Sequence, residues 1–380
     1  MKHAEQQPLE QSQNELSKTQ STSGTFSARA IIVQSTALAI AIVFVLFLIS
    51  LSVFAAFANS WVGRFLSSTD TTRGELVNSV KNGLDRTPIS TNNRKNFLLL
   101  GSDELPTRDS NSILTDTIML VSLNLNTGSV RLLSFPRDLW LEPEQTRINS
   151  LYYYGQEKNP DQPLLFPTTV MSELTQVPIH HTILITMNDL EALIDQLGGV
   201  AITIETGFTD TQFPRTDVDV TIERDPAKLY ETIVFEPGVE HMSGKRALQY
   251  MRSRHASGDE GTDTARAARQ QQVVAALLAK VKESKSLVSD PEGLGELFMQ
   301  YSRIAGDTLP VSELVATGKQ LFDNQAVTSL SLSAHSLSIA TATQSGAIVH
   351  PPTSQTANQW VYTITDLDLF RAEVKESLDL

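Results

Sequence analysis

The sequence predicts an α/β layered domain that follows a single membrane-spanning helix. Residues 31–58 contain no charged residue and are dominated by Leu, Ile, Val, Phe and Ala. A membrane helix needs about 20 such residues. Beyond residue 95, short apolar runs bounded by turn residues alternate with segments of helical period. That alternation is typical of strands interleaved with helices in one layered domain.

Composition excludes several classes of function. The chain has 380 residues, a formal net charge of −13 and no cysteine. Disulfides, thiolate metal sites and cysteine nucleophiles are therefore excluded. The acidic balance argues against a nucleic-acid partner, because such a partner requires a basic footprint. It also argues against a peripheral protein that is held by anionic lipid.

The chain divides into five segments. Residues 1–28 are polar and predict a disordered tail, which the membrane helix at 31–58 follows. A cleaved signal peptide is the competing interpretation, but its apolar region is usually about 7–15 residues. Residues 59–95 predict a polar stalk with one helix, and 96–284 the main domain. Residues 285–380 either extend that domain or stand apart.

Each element of the main domain has a local signal. A buried strand is predicted from Phe97 to Leu100, and Asn126-Thr127-Gly128 is a turn between two paired strands. Further strands and helices are predicted in alternation, and closing elements follow near the C-terminus. The predicted ranges are strands at 116–124, 130–135, 182–186, 200–204, 328–333 and 360–364, and helices at 168–174, 189–197, 243–252, 264–282 and 369–378.

The predicted hairpin brings an acid and an arginine together. If Asn124 pairs with Ser129 across the turn, Asp116 lies opposite Arg137 at one end of the sheet. Asp103 arrives at the end of its own apolar strand. Two carboxylates and a guanidinium at strand ends fit a divalent cation with a phosphate. A structural Asp–Arg pair is the alternative.

A second cationic cluster lies at the junction of two predicted helices. The first helix ends in Arg252-Ser253-Arg254, and the second opens with a core-facing stripe through Arg266, Arg269 and Gln270. Guanidinium groups that face a core are costly unless an anion pairs them. That anion is either a nearby acid or an external pyrophosphate. The acids at hand are Asp259, Glu260 and Asp263.

Together these motifs resemble the LytR–CpsA–Psr family of cell-wall glycopolymer transferases. The resemblance covers residues 96–282, about half of the chain. Its motifs occur in the family's order. They are Gly101-Ser102-Asp103, Asp116-Thr117-Ile118, Ser134 to Asp138, Gly198-Gly199-Val200, Arg252-Ser253-Arg254 and Arg266 to Gln270.

The resemblance implies a three-layer α-β-α domain with a mixed sheet and an apolar groove for a polyprenyl chain. It implies a membrane-anchored phosphotransferase that moves a glycopolymer from a polyprenyl-pyrophosphate carrier to peptidoglycan, with the domain outside the cytoplasm. A pyrophosphate hydrolase and a non-catalytic binding or regulatory protein are the alternatives.

The resemblance also assigns residues. Asp103 and Asp116 match the pair that holds Mg²⁺, and Arg137 matches an arginine beside them. The arginines implied to bind pyrophosphate are Arg252, Arg254, Arg266 and Arg269, with Gln270 beside them. One departure is that Leu114 stands where many members have arginine, and Arg108 lies in the longer loop before it.

Overall fold

The fold is described from a computed structural model, in which residues 28–102, 113–215, 218, 222–283, 289–340, 346–356 and 359–380 are placed. The chain divides into two compact units, Met1–Gly63 and Arg64–Leu380. Most of the first helix belongs to the first unit, and the layered domain is the second.

The described strands and helices alternate along the second unit, as the sequence predicts. The strands are β1 Arg94–Ser102, β2 Thr115–Asn124, β3 Ser129–Ser134, β4 Trp140–Leu141, β5 Thr146–Arg147, β6 His181–Thr186, β7 Val200–Ile204, β8 Phe208–Pro214, β9 Tyr230–Phe235, β10 Gly238–Met242, β11 Ser331–Ser336, β12 Ile339–Ala340, β13 Ile348–Val349 and β14 Thr363–Ile364. The helices are α1 Ala28–Ser67, α2 Arg73–Leu84, α3 Leu151–Lys158, α4 Leu165–Thr175, α5 Met187–Gln196, α6 Pro226–Leu229, α7 Gly244–Arg252, α8 Asp263–Glu283, α9 Pro291–Ala305, α10 Val311–Asp323 and α11 Leu367–Leu378.

The central sheet has five strands in the order β11-β3-β2-β1-β6. The pairs β1–β2 and β2–β3 are antiparallel, whereas β1–β6 and β3–β11 are parallel, so the sheet is mixed. The hairpin register is the predicted one, since Leu123 pairs with Val130 and Met119 with Ser134.

Helices cover both faces of this sheet. One face packs Leu98 and Leu120 against Met171 of α4 and Phe370 of α11 in a single buried cluster. The other face lies under α5, α7 and α8. Because alternate residues of a strand point to opposite faces, continuous apolar strands are what such a sheet needs. The prediction of a three-layer α-β-α domain with a mixed sheet is confirmed.

α1 satisfies the length and composition of a membrane-spanning helix. Within its described part the qualifying span is Val43–Ser67, whose apolar window is not buried in the chain alone, although Phe65 near its end is buried. An apolar helix of 25 residues is long enough to cross a bilayer. The predicted span of 31–58 therefore ends earlier than the apolar helix does.

The segment that was predicted to be a stalk belongs largely to the folded unit. α2 starts with a capping box between Thr72 and Glu75 and packs on α10, where Gly83 lies against Ser312 and Val315. Lys95, fully buried, pairs with Glu313 of α10. Sequence reasoning missed these contacts because Gly83 and Lys95 carry no apolar signal.

Residues beyond 284 extend the main domain instead of standing apart. β11 is the edge strand of the central sheet, and it starts three residues later than the predicted strand at 328–333. α11 packs on β3 and α4, as a closing helix. The predicted strand at 360–364 is shorter in the structure, where only Thr363–Ile364 is regular.

Candidate functional site

Asp116 lies in a β-bulge at the end of the central sheet. β1 and β2 pair as Gly101 with Thr117 and then as Ser102 with Thr115, so that Asp116 has no partner in the ladder. A bulge re-aims the side chain of its extra residue, and bulges are common beside active sites. The bulge was not predicted, because a single-residue irregularity leaves no trace in apolar periodicity.

Two guanidinium groups bind the carboxylate of Asp116. Arg137 donates to one oxygen and Arg254 to the other. Asp116 and Arg137 thus meet as the hairpin register predicts, and Arg254 joins them from a distant part of the chain. Burial lowers the pKa of Arg137, but the charges of Asp116 and Asp138 outweigh it and raise that pKa overall.

Arg266 adds a third cation to the same crevice. The polar residues that line the crevice include Asp116, Arg137, Asp263, Arg266, Gln270 and Tyr362, and Phe135, Leu337 and Ile339 add apolar surface. Burial lowers the pKa of Arg266, Asp263 opposes that effect, and Arg254 and Arg137 lower it further. The repulsion among these cations favours an additional anion in the crevice.

Asp210 positions Arg254, and sequence reasoning did not single it out. Its carboxylate is 1% exposed and accepts hydrogen bonds from the Ser253 hydroxyl and from the backbone N–H groups of Arg254 and His255. A buried carboxylate that gathers three donors fixes the turn after α7. Asp210 stands outside every predicted element and motif, so no signal in the sequence distinguished it.

Arg269 holds the same turn from the other side. Its guanidinium is almost completely buried and donates to the carbonyl oxygens of Tyr250 and Ser253 and to Glu260. The sequence left two partners open for Arg269, a nearby acid and an external pyrophosphate. In the structure Arg269 contacts the nearby acid, Glu260. Arg266 likewise pairs with Asp263 at 2.6 Å, although it also lines the crevice.

The other predicted residues are placed as follows. Arg252 is half-buried with its guanidinium 5.9 Å from the Phe213 ring. Gln270 is buried and lines the crevice. Leu114, at the position where many members have arginine, is exposed. Asp103 and Arg108 lie outside the described residues.

An apolar cavity of about 270 Å³ lies between the sheet and the helices. It is lined by Phe97, Leu99, Gly101, Thr117, Val121, Ile183, Ile185, Met187, Leu190, Met251, Val274, Leu277 and Leu278. Thr117 follows Asp116, and Val274 lies one helical turn beyond Gln270. The crevice and the cavity are therefore lined by neighbouring residues of β2 and α8.

Among the described residues there is no group of three or more His, Cys, Asp or Glu side chains that could hold a metal ion. Both oxygens of Asp116 are already bonded to guanidinium groups. The assignment of Mg²⁺ to Asp103 and Asp116 stays a prediction.

Fold and site together define a class of protein: an α/β domain in which a cationic crevice adjoins an apolar cavity. Such a site is complementary to an amphiphile with an anionic head and an apolar tail. The chain belongs to the LytR_cpsA_psr family, whose family model matches residues 65–363. The family that the motifs resemble is thereby confirmed, over a longer stretch than the motifs cover.

Two sequence relatives have the same name. A polyisoprenyl-teichoic acid–peptidoglycan teichoic acid transferase TagU of Bacillus mycoides is 26% identical over 55% of this chain and 59% of its own length. A TagU of Oceanobacillus iheyensis is 29% identical over 52% of this chain and 54% of its own length. The chain thus matches less than two thirds of these relatives.

The fold also matches a solved structure. The crystal structure of Bacillus subtilis TagV covers 76% of this chain and 99% of its own, with a TM-score of 0.50 and 18% identity. At that identity the likeness supports the fold alone.

Proposed function

We propose that this protein is a membrane-anchored phosphotransferase that attaches a glycopolymer from a polyprenyl-pyrophosphate carrier to peptidoglycan. The observation that carries the proposal is the cationic crevice of Arg137, Arg254 and Arg266 beside an apolar cavity. The names of the TagU relatives, which specify a polyisoprenyl donor and a peptidoglycan acceptor, support the same reaction class.

The crevice suits a pyrophosphate better than a single carboxylate. The three guanidinium groups have three acids as partners: Asp116 pairs with Arg137 and Arg254, Asp138 with Arg137, and Asp263 with Arg266. A pyrophosphate carries more charge than any one of these acids and accepts from several guanidinium donors at once. The resemblance groups Arg252 and Arg269 with these arginines, and their binding to pyrophosphate stays a prediction. The internal contacts of Arg269 favour a positioning role.

The cavity suits the tail of the carrier. Its lining is aliphatic, aromatic and thioether apart from Thr117. Burial of a polyprenyl chain there yields about 25 cal/mol for each Å² of apolar surface removed from water. The tail enters the cavity while the pyrophosphate lies at Asp116, because β2 and α8 contribute neighbouring residues to both sites.

The chemistry is a displacement at phosphorus. The acceptor hydroxyl oxygen attacks the phosphorus that carries the sugar, the bond to the polyprenyl phosphate breaks, and the hydroxyl proton goes to a base. Charge neutralisation and positioning dominate such transfers. Arg137, Arg254 and Arg266 stabilise the charge that develops on the departing polyprenyl phosphate.

Magnesium and membrane topology belong to the same proposal. Bound Mg²⁺ would neutralise further charge on the pyrophosphate. We infer that Asp103 and Asp116 would hold it, with a rearrangement of the guanidinium groups that now occupy Asp116. The folded unit lies outside the cytoplasm, where the peptidoglycan acceptor is, and residues 1–28 lie inside.

An acceptor assay separates the three candidate functions. The full chain in nanodiscs receives a radiolabelled polyprenyl-pyrophosphate-linked saccharide, with and without peptidoglycan. A transferase labels the peptidoglycan and releases polyprenyl phosphate. A hydrolase releases saccharide phosphate whether or not the acceptor is present, and a binding protein releases nothing. Either of the last two outcomes overturns the proposal.

A further inference from the structure

Three rings from the C-terminal part of the chain form a cluster at the crevice. His350 lies edge-on between Trp360 and Tyr362, and its ring centroid is 5.6 Å from that of Tyr362. Tyr362 is 8% exposed and lines the crevice itself. Trp360 is 55% exposed, although its ring is held by these neighbours. The cluster therefore presents one fixed aromatic ring to solvent.

An isolated bridge places Tyr362 beside the turn that carries Arg137. Tyr362 pairs with Leu139, and the Tyr362 N–H donates to the carbonyl oxygen of Asp138 while the Trp140 N–H donates to that of Tyr362. Trp360 precedes Tyr362 by two residues, and His350 contacts both rings. Trp360 therefore lies next to a residue that lines the crevice.

The indole is fixed as well as exposed. The Trp360 ring packs against His350 at a centroid distance of 3.7 Å and an interplanar angle of 64°, and His350 in turn packs on the buried ring of Tyr362. Because more than half of Trp360 stays exposed, its ring offers apolar surface to a ligand. A single exposed apolar residue is ordinary on a protein surface, but here it is ordered and adjoins the crevice.

The chemistry of the carrier identifies what reaches this face. In a polyprenyl-pyrophosphate-linked glycopolymer, one phosphate bears the tail and the other bears the first sugar. If the tail enters the apolar cavity and the pyrophosphate lies at Asp116, the first sugar emerges within a bond or two of the crevice mouth. Pyranose rings carry C–H groups on one face, which suit an exposed indole.

We propose that Trp360 forms a saccharide subsite at the mouth of the crevice and stacks on the sugar bonded to the pyrophosphate; this inference rests on the function proposed above. His350 contacts both rings and positions Trp360 beside Tyr362. The subsite is supplied by the C-terminal segment, which gives that segment a role in substrate recognition besides packing.

Two matched ligands test the subsite. Farnesyl pyrophosphate carries the tail and the pyrophosphate alone, and its N-acetylhexosamine-linked derivative adds one sugar. Dissociation constants are measured for both with the full chain in nanodiscs, for wild type and for Trp360→Ala, Trp360→Phe and Phe322→Ala. Phe322 is 75% exposed on α10, whose end contacts the far end of the β2–β3 hairpin from Asp116.

The expected result is a selective loss. Trp360→Ala weakens binding of the sugar-bearing ligand about three- to tenfold, since stacking contributes roughly that factor, and leaves the binding of farnesyl pyrophosphate unchanged. Trp360→Phe restores most of the affinity, and Phe322→Ala changes neither constant. Equal losses for both ligands, or no loss for either, overturn the subsite. If wild type binds neither ligand, the proposed function fails instead.

Discussion

Replacing Arg269 by glutamine separates positioning from ligand binding. In the structure its guanidinium, 2% exposed, donates to two carbonyl oxygens at the end of α7 and to the backbone and carboxylate of Glu260. Glutamine retains at most two of these donors and no charge. The substitution therefore leaves Glu260 and at least one buried carbonyl oxygen without a partner.

The expected cost follows from that geometry. Breaking a buried ion pair from one side costs about 3–5 kcal/mol. The Glu260 side chain is 25% exposed, so water recovers part of the loss and the lower end, about 3 kcal/mol, applies. For a unit of this length, that free energy lowers the melting temperature by roughly 5 °C.

The assay is urea unfolding of the full chain in detergent, with Arg254→Gln as the matched control. Arg254 is 42% exposed, and Asp116 keeps Arg137 as a partner when Arg254 is lost, so its loss changes stability by less than about 1 kcal/mol. Loss of Arg254 weakens the binding of farnesyl pyrophosphate about ten- to a hundredfold. An Arg269→Gln protein with the wild-type midpoint, together with a hundredfold weaker ligand, would refute the positioning role.

Four further predictions follow from the same contacts. Asp116→Asn weakens Mg²⁺ binding about tenfold by calorimetry; unchanged affinity contradicts the metal assignment. Ile183→Phe fills part of the apolar cavity, so long polyprenyl ligands bind about five- to a hundredfold more weakly while the melting temperature is kept; equal binding excludes the cavity as the tail site. Burial lowers the pKa of His180 and His181 below 6.5. The unfolded chain therefore binds extra protons below about pH 6.5, and the free energy of unfolding falls there by up to about 1.4 kcal/mol per pH unit for each histidine. His181→Asn reduces that slope in urea unfolding, and a flat profile from pH 6.5 to 5 contradicts the prediction. The chain has no cysteine, so Val239→Cys, at a position 74% exposed, reacts with an impermeant maleimide on intact cells if the domain is outside; labelling only after lysis reverses the topology.

Periodicity and turn chemistry predicted most of the sheet. The strand from Val200 to Ile204 and the helix that ends at Arg252 lie where the sequence indicates, and the hairpin register is the predicted one. The apolar spacing of Val273, Leu277 and Val281 predicts that the core-facing stripe of α8 continues toward its C-terminus. Val273 and Leu277 are buried, but Val281 is 47% exposed because the helix extends beyond the core there. The spacing of apolar residues shows which face of a helix is buried, but it does not show how far along the helix that face stays covered.

Side-chain partners beyond neighbouring strands were less predictable. The crevice contains Asp116 and Arg137, which one hairpin brings together, and register alone predicts that contact. Arg254 reaches Asp116 across 138 positions of sequence, and no local pattern encodes that distance. Asp210 was missed for the same reason, since its role is to hold a turn that belongs to another element.

The arginine motif combines two physical roles that sequence alone cannot separate. Arg254 and Arg266 face the crevice, whereas Arg269, one helical turn after Arg266, turns its donors back to α7 and Glu260. A cluster composed only of crevice-facing arginines would repel itself and leave the turn after α7 unsupported. Because Arg269 and Asp210 fix that turn with opposite charges from two sides, Arg254 is held near other cations before any ligand arrives. The ligand then meets guanidinium groups that need little further ordering, which preserves more of the binding free energy.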